Sequence, residues 1–139
     1  MNKKKIIISS SDNNYFFLIK ELHLSLKNKG VLDEYDFAIL DTGLDVKQKN
    51  YFKDYNVLIK SAEWNVEVPK YKILGRENLK TQVARAFLPD YFDNYKLYIW
   101  LDADMWLNDI ESFYYYEKGA LNDKLTIVPQ SDRAYVKNA

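Results

Sequence analysis

The 139 residues carry 20 basic and 20 acidic side chains, so no overall charge steers the chain to nucleic acid or to an anionic membrane. The absence of cysteine excludes a disulfide framework, a thiolate zinc site and a cysteine nucleophile, and the single His23 excludes a metal centre needing two histidines from this chain. The length suits one domain over residues 1–139 with a sizeable core.

Strand-like and helix-like segments alternate along the chain. Ile6-Ile7-Ile8 predicts a short buried strand, and 9–14 a polar turn. Apolar residues at 15, 18, 19, 22 and 26 share one helix face over 15–29, and Gly30 stops it. A second strand over 35–40 closes on Asp41-Thr42-Gly43. A helix over 46–55 and a third strand over 56–59 follow. The least regular stretch, 61–75, predicts a loop over the sheet. Residues 77–88 predict a helix ended by Pro89, with Leu79, Val83, Ala86 and Phe87 as its apolar stripe. A strand over 96–101, a short helix over 110–116 and a last strand over 124–128 complete the chain. Strand then helix, repeated, implies crossover units and a largely parallel sheet with helices on both faces.

The start has the basic head of a signal peptide, Lys3-Lys4-Lys5, but its apolar run breaks at Ser9. No stretch approaches the roughly 20 apolar residues of a membrane span. The expectation is a cytoplasmic protein with no transmembrane segment.

The most informative feature is the apolar run Leu97-Tyr98-Ile99-Trp100-Leu101 stopping at Asp102-Ala103-Asp104. Ligands of open α/β sheets gather at the carboxyl ends of such strands. If the extended conformation continues past Leu101, both carboxylates project to one side. Such a pair suits Mg²⁺ or Mn²⁺, which binds through one or two carboxylates together with substrate phosphates. The competing reading makes both aspartates turn residues or a helix cap.

Two further corners carry alternatives. In Ser11-Asp12-Asn13-Asn14-Tyr15, Asp12 or Asn13 is either a helix cap or, with Asn14 and Tyr15, part of a nucleotide pocket. There carboxylate and amide groups meet base edges and ribose, and a ring stacks on the base for about 1–3 kcal/mol. Arg85, roughly opposite Val83 on its helix, is either solvated or turned to phosphate, whose oxygens its fork matches. His23 reads as a packed helix residue. Tyr114-Tyr115-Tyr116 reads as core and rim aromatics.

Four blocks together resemble glycosyltransferase family 8: Ser11-Asp12-Asn13-Asn14-Tyr15, Leu40-Asp41-Thr42-Gly43-Leu44, Val83 to Phe92, and Leu101-Asp102-Ala103-Asp104. They occur in the family's order from about residue 5 to residue 133. The resemblance implies the GT-A fold, a Rossmann-like three-layer sandwich with a mostly parallel sheet, here truncated at the carboxyl end. It further implies that Asp12, Asn14 and Tyr15 hold the base and ribose of a UDP-sugar, that Arg85 contacts the sugar-diphosphate region, and that Asp102 and Asp104 bind Mn²⁺ (or Mg²⁺). Asp132 falls where the family has an acidic residue near the transferred sugar. The family's third protein metal ligand, a histidine, and much of its acceptor site lie downstream of these residues. The chain is therefore expected to be the amino-terminal, donor-binding part of a retaining hexosyltransferase acting on a glycan or lipid-linked acceptor, with peripheral membrane association possible in the full-length protein. The alternatives are a phosphohydrolase of the haloacid dehalogenase type, whose aspartate pair normally follows the first strand, and a non-catalytic nucleotide-sugar-binding fragment.

Overall fold

The computed structural model describes residues 5–122 and 124–128. Four strands, β1 (Lys5–Asp12), β2 (Asp36–Gly43), β3 (Leu58–Ser61) and β4 (Leu97–Trp100), form one sheet in the order β3-β2-β1-β4. Every pairing is parallel. All four strands therefore direct their carboxyl ends to one edge, where β1 pairs Ile8 with Trp100 of β4 and Asp12 with Gly43 of β2.

Side-chain alternation divides the core in two. Ile7, Phe37, Ile39, Ile99 and Leu101 face α1 (Phe16–Asn28) and α2 (Val46–Lys53), where they pack with Ile19, Leu22, Leu26 and Phe52. Ile6, Ile8, Ala38 and Leu40 face the other way and pack with Ala84, Leu88, Tyr91 and Phe92. Tyr98 and Trp100 lie on this second face, partly buried. The sheet is thus covered on both sides, as its unbroken apolar strands require.

Most predicted elements are present, with instructive differences. β1 runs on to Asp12 instead of turning at Ser9. Ser9 and Ser11 are buried in it, paired with Ile39 and Asp41, because small side chains fit between a sheet and its helices without needing apolarity. α1 ends as expected: Gly30 takes φ +72°, and its N–H bonds the Lys27 carbonyl. The predicted helix over 77–88 is instead segmented into a 3₁₀ turn (Glu77–Leu79), a helix (Lys80–Ala84), a second 3₁₀ turn (Arg85–Phe87) and a further helix (Leu88–Tyr91). Pro89 opens that last helix rather than ending the one before it, since proline is well tolerated in a first turn. The buried stripe is Thr81, Ala84 and Leu88, so Ala86 is exposed and Arg85 borders the packed face. The irregular stretch 61–75 contains a single helical turn at Lys70–Ile73. The helix predicted over 110–116 is Glu111–Gly119. Residues 124–128 form no strand, and Leu125, Ile127 and Val128 are exposed. No helix among the described residues is long and apolar enough to cross a membrane.

Candidate functional site

The carboxyl edge of the sheet is built from three tight turns. After β1, Asp12 Oδ1 accepts the backbone N–H groups of Asn14 at 2.9 Å and Tyr15 at 3.0 Å, which fixes the corner into α1. This is an Asx-type turn ahead of α1, whose N-cap is Tyr15 without a side-chain cap bond, and it holds Asp12 in place whether or not a ligand is near. Asn14 is exposed, and the Tyr15 ring is 53% exposed beside it.

After β2, Asp41 is only 7% exposed. Its Oδ1 accepts from the N–H groups of Gly43 (2.8 Å) and Leu44 (2.7 Å), and its Oδ2 pairs with Lys49 at 2.6 Å. Burial pushes the Asp41 carboxyl up, but the Lys49 ion pair and the two N–H bonds outweigh it and hold it below its ordinary value. Gly43 takes φ +144°, where a Cβ is strained, and its carbonyl receives the N–H of Asn13. Asp45 and Gln48 then form a capping box at the start of α2, and Gln48 Nε2 donates to Asn13 Oδ1 at 2.6 Å. The 12–15 corner is therefore tied to the β2 turn through Asn13.

After β4 the chain does not stay extended. Met105 N–H bonds the Asp102 carbonyl at 3.1 Å, so 102–105 is a turn, and strand alternation no longer places Asp102 and Asp104. Both carboxylates are nonetheless exposed at the sheet edge. Asp102 is organised by its neighbours. Trp100 Nε1 donates to Asp102 Oδ1 at 2.8 Å, and Arg85 Nη2 stands 4.0 Å from the same oxygen. The Arg85 guanidinium lies over the Trp100 ring, 4.9 Å from its centroid, and bonds Gln82 Oε1 at 3.0 Å. Its Nε is shut away from solvent without an acceptor.

The structure thus brings Arg85 and Asp102 together, seats Asp12, Asn14 and Tyr15 at the end of the adjacent strand, and leaves Asp104 on the turn. Asp132 lies outside the described residues. Gln48, Lys49 and Trp100 were not singled out from the sequence, and Asn13, read there as a cap or a pocket residue, instead ties the corner to Gln48. Trp100 ends β4, and its indole N–H reaches Asp102 across the start of the turn. Among the described residues no group of three or more His, Asp or Glu side chains is gathered to hold a metal ion. Among the described residues Asp102 uses only Oδ1, so its Oδ2 and the Asp104 carboxylate offer the hard oxygens that Mg²⁺ or Mn²⁺ accepts.

The same architecture occurs in solved glycosyltransferases. The galactosyltransferase LgtC, in complex with donor and acceptor sugar analogues, superposes with a TM-score of 0.57 at 19% identity over 79% of this chain. The fold is GT-A. An active-site mutant of LgtC gives 0.58 at 19%, and the apo form of WbbM, a bifunctional glycosyltransferase, gives 0.59 at 16% over 83% of the chain. The chain spans 41% of the length of LgtC and 21% of that of WbbM. No family model matches the sequence, and no curated protein matches it.

Proposed function

We propose that the chain is the donor-binding portion of a cytoplasmic glycosyltransferase resembling family 8, which transfers a hexose from a UDP-sugar to a glycan or lipid-linked acceptor with retention. The observation that carries this reading is the meeting of Arg85 and Asp102 at the carboxyl edge of a GT-A sheet, one strand from the Asp12 to Tyr15 corner. A cation and a carboxylate pair suit opposite sides of a metal-bound diphosphate. Asp102 and Asp104 would hold Mn²⁺ or Mg²⁺, with water and phosphate oxygens among its remaining ligands. When bound, the ion supplies Lewis acidity to the leaving diphosphate. Arg85, whose Nη2 stands 4.0 Å from Asp102, stabilises the charge that grows there. Tyr15 offers an exposed ring to the base, and Asp12 and Asn14 offer polar groups to base and ribose. Association with a membrane surface belongs to the lipid-linked form of the acceptor.

Titration calorimetry with UDP, with and without Mn²⁺, tests the reading. Binding is expected only with the metal, and more tightly for UDP than for ADP. Equal affinity in EDTA would remove the metal from the proposal, and tighter ADP binding would remove the uridine. A second reading, nucleotide-sugar binding without transfer by these residues alone, is favoured by the chain spanning less than half of LgtC. Binding with no turnover on any sugar acceptor distinguishes it.

A further inference from the structure

Trp100 touches both charged groups of the site. Its indole N–H is bonded to Asp102 Oδ1 at 2.8 Å, and its ring face carries the Arg85 guanidinium at 4.9 Å. Trp100 ends β4 and Asp102 opens the turn that follows, while Trp100 faces the helical segments that bear Arg85. Arg85 and Asp102 are only 4.0 Å apart, well outside the roughly 2.7–2.9 Å of a closed charge-assisted bond. Here the indole N–H occupies the carboxylate oxygen nearest the arginine, while the ring fixes the guanidinium on its π face.

We propose that Trp100 is a positioning residue that keeps Arg85 and Asp102 from closing into a direct hydrogen-bonded pair, so that both stay oriented toward a metal-bound diphosphate. The proposal rests on the donor-site reading above. Closing the pair on Oδ1 would reorient the Asp102 carboxylate and draw the Arg85 donors away from the diphosphate. Partners that orient a metal ligand through a hydrogen bond typically change metal affinity about 10- to 100-fold when lost. Trp100→Phe keeps a ring for Arg85 and removes only the N–H. Trp100→Leu removes both.

The test is calorimetry of UDP in saturating Mn²⁺ for the 139-residue chain and both variants, with melting temperatures recorded alongside. Trp100→Phe is expected to weaken binding at least fivefold with an unchanged melting temperature, and Trp100→Leu to weaken it further. A second arm leaves β4 intact: the indole ¹⁵N–¹H signals of the three tryptophans are compared between the parent and Asp102→Ala. The Trp100 signal, assigned by its loss in Trp100→Phe or by selective labelling, is expected to move while those of Trp64 and Trp106 stay. An unmoved Trp100 signal, or a Trp100→Phe affinity within fivefold of the parent, overturns the positioning role and leaves the donor-site reading standing. A parent chain that binds no UDP with Mn²⁺ overturns both.

Discussion

Arg85 is where solvent exposure and phosphate contact make the most different demands. Its guanidinium is stacked on Trp100 and faces Asp102, so it is organised rather than free in solvent. In a full-length enzyme, Arg85→Ala is expected to cut turnover by about a hundredfold, since losing one preorganised group aimed at developing charge costs on the order of 2.7–4 kcal/mol. The melting temperature should hardly change, because the side chain borders the packed face without filling it. Turnover within about threefold of the parent, a difference of roughly 0.65 kcal/mol, would make Arg85 a surface residue. Asp104 separates ligand from turn. Among the described residues its side chain accepts no hydrogen bond, whereas the 102–105 turn is closed by backbone groups. Asp104→Asn should therefore abolish Mn²⁺-dependent UDP binding and leave ligand-free stability unchanged or slightly raised. A loss of about 0.5–2 kcal/mol in urea melts, with metal binding intact, would mark a cap instead.

The capping box of α2 links an element to the site. Asp45 caps the helix, and its partner Gln48 also bonds Asn13 in the 12–15 corner. Asp45→Ala should cost about 1 kcal/mol in chemical denaturation. It should also weaken UDP binding, through the freed Gln48, more than an equally destabilising change in the helix Glu111–Gly119 does. Equal effects on binding would disconnect the helix from the corner. The elements themselves were largely legible, because strands buried on both faces read as unbroken apolar runs and α1 shows one clean stripe. What escaped had local causes. Ser9 and Ser11 look like a turn yet pair within β1, since tertiary burial of a small hydroxyl overrides its turn preference. Pro89 looks like a stop yet begins a turn of helix. The corners were found by residue type, but Asn13 with Gln48, and Arg85 with Trp100, join side chains far apart in sequence that no periodicity brings together.

At the scale of the whole molecule, stability should depend on His23. It is 1% exposed among Phe37, Phe52 and Tyr55, with Nδ1 unpartnered, and burial, aided by Lys27, lowers its pKa from 6.5 to about 4. The unfolded chain binds the proton more readily, so stability is full above about pH 6.5 and is lost as pH falls toward 4, by up to roughly 3 kcal/mol. Denaturant midpoints between pH 7 and 4.5 should show this slope, and His23→Phe should flatten it. A slope unchanged in the variant would assign it to carboxylates. The parallel strand order has a temporal consequence as well. β1, first in the chain, sits between β2 and β4, and Lys5 on β1 also pairs with Glu117, 112 positions away. During synthesis, β1, β2 and β3 can assemble early, but one flank of β1 stays open until β4 emerges and pairs with it. A ribosome paused before residue 97 would hold a nascent three-stranded sheet with β1 as an unprotected edge, the form most exposed to capture by a chaperone or by another chain.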